Sequence, residues 1–396
     1  MSGTSSIRLP GPDGELITHV LGRRGSSFDQ IDRLGGVPPA SRSVYAAGHV
    51  VLDPLAEPVG LLPSSVDWDA TLRFRHHLWS IGLGVAEAMD TAQRGMGLGW
   101  DGARELIRRS CAEARAVGGR VVCGAQTDQL PSGVQGLTLD RIIEAYQEQV
   151  AWVEQCGGTP VVMASRHLAA LARGADDYER VYDAVLAVAS GPVFLHWLGE
   201  SFDPDLAGYW GDRDLDAAQE TFLRIVQRHR ATVVGVKISL LDAEREVAVR
   251  RLLPPEVRMH TGDDFNYVDL IRGDDQGHSD ALLGVFDALA VPARVALARL
   301  DDGDAEGFVD ILEPTVPLAR HLFAAPTSAY KTGVVFLAWL NGHQDHFRML
   351  AGAETMRSVP HLARVFALAD HAGALADPDL AQSRLRHFLA MAGVET

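Results

Sequence analysis

The sequence predicts a (β/α)8 TIM barrel carrying an N-terminal extension and an all-helical C-terminal extension. Three observations predict it. From about residue 45, short apolar runs alternate with amphipathic helical segments, the pattern of a parallel sheet covered on both faces. Seven or eight such units follow at roughly even spacing, enough to close a barrel; an open doubly wound sheet is the alternative use of the same pattern. After residue 285 the strand signal stops and only helical periodicity continues.

Taken in order, residues 1–44 form the N-terminal extension, with a hairpin expected from runs at 6–9 and 16–21 around Pro10, Gly11, Pro12, Asp13 and Gly14. The barrel is expected over 45–290. Its strands are read at 44–51, 84–89, 120–123, 159–163, 193–197, 232–237, 258–261 and 279–283. Helices are read between them at 68–81, 101–116, 139–155, 178–190, 215–228, 243–252 and 265–272. The C-terminal helical region is expected over 291–396, with segments at 304–323, 329–340, 344–350, 362–370 and 380–391.

Composition bounds the function. Of 396 residues, 47% are hydrophobic and 22% charged, the balance of a globular chain with a sizeable core. A formal charge of −16 opposes a phosphate backbone, so no nucleic-acid partner is expected. Cys111, Cys123 and Cys156 are widely spaced and odd in number, which suggests neither a disulfide framework nor a zinc knuckle. The first 25 residues lack a signal-peptide core, and no apolar run of about 18 residues occurs, so the expected location is cytoplasmic and away from membranes.

Only two of the 36 basic side chains are lysine, Lys237 and Lys331. A lysine kept amid such a preference for arginine suits a position where arginine fails, because a guanidinium stays protonated and cannot attack a carbonyl. Active sites of α/β barrels lie at the C-terminal ends of the strands. The sixth predicted strand ends in G-V-K-I-S at 235–239, placing Lys237 in an apolar run, where burial lowers an amine's pKa. The fifth ends in P-V-F-L-H at 192–196, offering His196 as a proton carrier and Trp197 as a pocket wall. The seventh runs through H-T-G-D-D at 260–264, offering His260, Asp263 and Asp264. Gln126, Thr127 and Asp128 close the third strand. His260 with Asp263, Asp264, His278 and Asp280 is an alternative divalent-metal cluster, although no tight ligand spacing supports it. Glu87 needs a partner if buried. His76 and His77 read as ordinary helix residues, and His343 and His346 as surface residues.

A strand ending in G-[VI]-K-x-[AS], followed about two dozen residues later by one ending in G-D-D, resembles the dihydrodipicolinate synthase and N-acetylneuraminate lyase superfamily of class I aldolases. V-D-W-D-A at 66–70, V-V-C-G-A-Q-T-D at 121–128 and P-V-F-L-H at 192–196 extend the likeness, and Lys331 falls where the family often has a lysine. The resemblance covers roughly residues 45–340 and points to a long divergent group of unknown function within that superfamily. It implies a TIM barrel, Lys237 as Schiff-base nucleophile, no cofactor, and a homo-oligomer, dimer or tetramer.

The departures shape the expected chemistry. The family carries G-T-T-G-E or a close variant after its second strand, where hydroxyls and amides hold the carboxylate of pyruvate. Here Met89, Asp90, Thr91, Ala92, Gln93 and Arg94 stand instead. Asp90 repels an acid and suits sugar hydroxyls, while Arg94 offers an acid a partner. His196 stands where the family has its proton-shuttling tyrosine. The expected activity is therefore a Schiff-base lyase or aldolase acting on a keto acid or keto-sugar derivative by retro-aldol cleavage or dehydration. Lys237 and His196 are read as catalytic; Asp90, Thr91, Arg94, Gln126, Asp128, Trp197, His260, Asp263 and Asp264 are read as contacting the small-molecule substrate. A metal-dependent sugar isomerase or aldolase, and a non-catalytic ligand-binding barrel, are the alternatives.

Overall fold

The computed structural model describes residues 6–11, 13–58, 62 and 64–395. The chain divides into two compact units. Among the described residues, one comprises 42–47 and 84–284; the other comprises those up to 41, 48–83 and those from 285 onward.

In chain order the strands begin with β1 (Ser6–Pro10) and β2 (Leu16–Val20), an antiparallel pair in which Ser6 faces Val20. This is the expected hairpin; Pro12 of its turn lies outside the described residues. The barrel strands are β3 (Val44–Ala47), β4 (Gly84–Glu87), β5 (Val121–Ala125), β6 (Thr159–Val162), β7 (Val193–Leu198), β8 (Val233–Ser239), β9 (Arg258–Thr261) and β10 (Asp280–Leu283). All eight predicted runs become strands of one closed parallel barrel, ordered β10-β3-β4-β5-β6-β7-β8-β9. The first stops at Ala47, short of residue 51.

The two-residue period of a strand decides what each side chain meets. Ala47, Ala86, Val122, Val161, Phe194 and Leu282 fill the interior. Leu195, Trp197, Val236, Ile238 and Met259 point outward and pack with Ala218, Phe222, Ile225 and Val249 of the covering helices. One irregularity sets which face of β8 points into the barrel. Val193 pairs with Val233, but Phe194 pairs with Gly235, so Val234 is an extra residue, a β-bulge. A Cβ on Gly235 would lie 2.6 Å from the Phe194 ring, so glycine admits that ring. Counting in twos from Gly235, Lys237 and Ser239 face the interior.

The second unit holds the hairpin and the helices Trp68–Ser80, Ala290–Asp301, Ala305–Leu312, Val316–Leu322, Tyr330–Leu340, Val359–His371 and Pro378–Met391. Three readings of the sequence need correction here. The segment 304–323 is two helices, separated by a turn at Glu313–Thr315 that contains Pro314. Residues 344–349 are not helical. The backbone N–H of Arg348 goes to His346 Nδ1 and that of Met349 to the Glu354 carboxylate, and the following 3-10 stretch is broken by Ala351 and Gly352 at φ 58° and 71°. His343 and His346 are half-buried, not surface residues. The His343 ring lies 4.6 Å from the His77 ring at a tilt of 43°, and burial pushes its pKa down to about 3. The helix Ala290–Asp301 leaves no amphipathic signal in the sequence because Ala290 through Leu297 are all buried, without an exposed polar stripe. In the same unit, Asp287 accepts the backbone N–H of His49 at 2.7 Å and contacts its Nδ1 at 2.8 Å.

No helix among the described residues is long and apolar enough to cross a membrane. Cys111, Cys123 and Cys156 are free thiols.

Candidate active site

Lys237 stands on β8, fifth of seven residues, 8% exposed. Burial lowers its pKa below that of an ordinary amine, and the carboxylates of Asp90 and Asp264 pull in the opposite direction without cancelling the effect. On the neighbouring strand His196 is its register partner and is fully buried. His196 Nε2 lies 3.1 Å from Ser239 Oγ, whereas Nδ1 has no hydrogen-bond partner among the described residues. Burial, and then the charge of Lys237, hold the imidazole far below its usual pKa, so it is neutral at physiological pH.

Gly262 follows β9 and closes the other side. Its N–H donates to the Ile238 carbonyl at 2.7 Å, bringing the backbone directly against β8. A Cβ there would sit 2.1 Å from Ser239 Oγ and 2.7 Å from Lys237 Cε, so only glycine fits beside both groups. The next two residues diverge in role. Asp263 Oδ1 accepts the N–H of Phe265 and of Asn266, and its Oδ2 accepts Asn266 Nδ2 at 2.8 Å, which spends the carboxylate on shaping the turn. Asp264 is buried and acts on Lys237.

The turn is anchored from behind. Thr261 Oγ1 accepts the Asp263 N–H at 3.1 Å and donates to Glu246 Oε2 at 2.9 Å; Ser279 Oγ donates to Glu246 Oε1 at 2.7 Å. Burial pushes the Glu246 carboxyl up to about 8.

After β4 the chain turns sharply, with Ala88 and Gln93 both in the left-handed region at φ 51° and 59°. Left-handed backbone costs a non-glycine residue about 1–2 kcal/mol. The turn brings Asp90 to bear on Lys237, with buried Thr91 beside it in the same 3-10 segment. It also sends Arg94 back beneath β5. Arg94 Nε and Nη2 grip both oxygens of Asp128 at 3.0 and 2.8 Å, Nη1 donates to the carbonyls of Ala88 and Gly124, and Nη2 donates to Gln149 Oε1. All five N–H groups of the guanidinium are used, leaving none for a substrate acid. Glu87, read as needing a partner, accepts Ser110 Oγ at 2.5 Å and the Ala88 N–H.

The structure therefore brings together Lys237, His196, Asp90 and Asp264, with Thr91 adjoining. Gln126 lies nearby in the interior, its Nε2 3.8 Å from the sulfur of Met163. Arg94 and Asp128 lock each other, and Asp263 shapes its turn. Trp197 points outward, with ring centroids 5.4 Å from Phe222 and 6.4 Å from Trp210. His260 sits between the Tyr45 and Phe194 rings. Burial lowers its pKa to about 4, and the charges acting on it are Asp280, Arg258 and Arg120, at or beside the starts of their strands. It belongs to the lower interior. Among the described residues no group of three or more His, Cys, Asp or Glu side chains is arranged to hold a metal ion. Lys331, in the other unit, donates to the Ser328 carbonyl at 3.1 Å. The sequence reading missed Ser239 and Gly262 as site residues, although a period of two from Lys237 puts 239 on the same face.

No curated protein matches the sequence. Among solved structures, dihydrodipicolinate synthase from Thermotoga maritima shares 14% identity at a TM-score of 0.63, over 84% of this chain and 100% of its own. A putative dihydrodipicolinate synthetase from Pseudomonas aeruginosa shares 16% at 0.63, over 84% and 99%. YagE, a prophage protein of the dihydrodipicolinic acid synthase family from E. coli K12, solved in complex with pyruvate, shares 13% at 0.58, over 89% and 99%. The family described as "Protein of unknown function (DUF993)" matches residues 7–394. The chain thus belongs to the DUF993 family, a divergent group with the fold of the dihydrodipicolinate synthase superfamily.

Proposed function

We propose that this protein is a class I lyase or aldolase acting through an imine on Lys237. The observation that carries the reading is a buried lysine with a lowered pKa, facing the barrel interior beside a neutral histidine. The amine adds to a substrate ketone and expels water. The protonated imine then draws electrons from the adjacent bond, and His196 takes or returns the proton during carbon–carbon cleavage or dehydration. Asp90 and Asp264 accept hydrogen bonds from substrate hydroxyls. With carboxylates beside the amine and Arg94 already saturated, the favoured substrate is a polyhydroxylated ketone, a keto-sugar or its derivative, over pyruvate. The same reading takes the protein as a cytoplasmic homo-oligomer.

Borohydride trapping against a panel of keto acids and keto-sugars, read by intact mass, tests the proposal. The expected result is a reduced adduct on Lys237 with a hydroxylated ketone. If no ketone in the panel leaves an adduct, the imine mechanism falls.

A further inference from the structure

We infer that Ser239 is a positioning residue that commits His196 to work through Nδ1, an inference resting on the imine reading above. Ser239 and Lys237 project from β8 to the same side, and His196 pairs with Lys237 across the β7–β8 register. The Ser239 hydroxyl engages Nε2 at 3.1 Å and is itself hemmed in by the Gly262 backbone, where even a Cβ would lie 2.1 Å away. Nδ1 of the same ring is fully buried and has no hydrogen-bond partner among the described residues. A buried ring nitrogen without a partner loses the hydrogen bond it would make in water, so a group that fills the site and satisfies Nδ1 recovers that loss.

In the proposed tautomer Nε2 carries the hydrogen and donates it to Ser239 Oγ across the 3.1 Å contact, leaving the Nδ1 lone pair as base. The proton on the carbon beside the Lys237 iminium passes to Nδ1. The C–H electron pair becomes the enamine double bond, and the iminium π pair returns to nitrogen. The imidazolium so formed keeps its Nε2 hydrogen on Ser239 while Nδ1 holds the transferred proton, which returns by the reverse path. Ser239 thus serves as a neutral orienting acceptor behind the histidine, fixing tautomer and ring angle.

The test uses the full chain with dihydroxyacetone as probe. Borohydride adducts report the imine, and loss of the probe's C–H signal in deuterated water, followed by proton NMR, reports transfer at His196. Ser239→Ala should leave adduct formation intact and slow exchange about 10-fold, the worth of one orienting hydrogen bond. In a His196→Phe background the same substitution should change nothing further. Exchange unaffected by Ser239→Ala, or slowed equally in both backgrounds, would overturn the inference. Nitrogen-15 spectra of histidine-labelled protein supply a readout independent of any ligand. His196 should be a single neutral tautomer with hydrogen on Nε2 in the parent and lose that preference in Ser239→Ala. Hydrogen on Nδ1 in the parent, or an unchanged tautomer in the variant, rejects the assignment. Failure of dihydroxyacetone to form any adduct counts against the imine reading of this probe and leaves the tautomer result to decide the Ser239 inference.

Discussion

Replacing Glu246 with glutamine should remove much of the alkaline loss of stability from this protein. Glu246 sits at the back of β9, fully buried, and receives the hydroxyls of Thr261 and Ser279. An unfolded glutamate titrates near 4.5, whereas in the fold this one titrates near 8. Between those values the folded chain keeps a proton that the unfolded chain has released. Its contribution is therefore fully present below pH 4.5 and is lost progressively as the pH rises to about 8. The interval corresponds to roughly 5 kcal/mol as an upper bound, at 1.36 kcal/mol per pH unit.

Glutamine keeps the shape but does not titrate. At pH 5 the variant should be about 1 kcal/mol less stable than the parent, because its amide hydrogens require a hydroxyl to turn and accept. At pH 8.5 the order should reverse. Denaturant unfolding of both proteins at half-unit steps from pH 5 to 8.5 gives the comparison directly. Two parallel stability curves would show that Glu246 is ionised throughout and that the account of its burial is mistaken.

Four further outcomes follow from the same geometry. Lys237→Arg should abolish adduct formation and turnover while keeping the thermal melt, since charge is retained and the nucleophile is lost; activity in a folded variant removes the mechanism. Gly262→Ala should lower turnover by more than 10-fold and stability by about 1–3 kcal/mol, the usual cost of overpacking, because its methyl group displaces Ser239 and Lys237; kinetics unchanged from the parent would mean the turn yields freely. Arg94→Lys should destabilise by about 3–5 kcal/mol in denaturant titration, since one ammonium cannot replace five donors around Asp128, Gln149 and two carbonyls; a loss under 1 kcal/mol would contradict that role. Asp90→Thr should raise the fraction of protein trapped by pyruvate at a fixed concentration; no change would place Asp90 away from the reacting carbon.

Much of the architecture is legible in the sequence for a simple reason. Parallel barrel strands are buried on both faces and read as uninterrupted apolar runs, so a lysine inside one, as at 237, stands out. The assignment of faces was less legible. Once His196 points inward, its neighbour Trp197 must point outward, yet a tryptophan beside a candidate catalytic residue invites reading as a pocket wall. The Val234 bulge shifts register with no mark in the pattern except Gly235. Arg94 and Asp128 are 34 residues apart, and their mutual saturation is a tertiary fact that local spacing does not carry. The depth of His260 follows from how its strand is staggered in the barrel, which composition does not reveal.

On the proposed mechanism, the charges around Lys237 favour the protonated imine more than they favour the free amine. Burial is the larger effect on the free lysine and pushes toward the neutral, nucleophilic form, while Asp90 and Asp264 oppose it. Once the imine forms and is protonated, the positive charge is required for the reaction, and the same two carboxylates stabilise it. Because the site is buried, that attraction is screened less than it would be at the surface. An incoming carboxylate substrate would forfeit that advantage by meeting two negative charges, and Arg94 has no donor left to offset them. A neutral hydroxylated ketone meets the opposite situation, because its hydroxyls donate to the carboxylates without neutralising their effect on the iminium. On the proposed mechanism, the replacement of the family's hydroxyl pair and the presence of two acids form one arrangement. It ties the choice of substrate to the stabilisation of the intermediate.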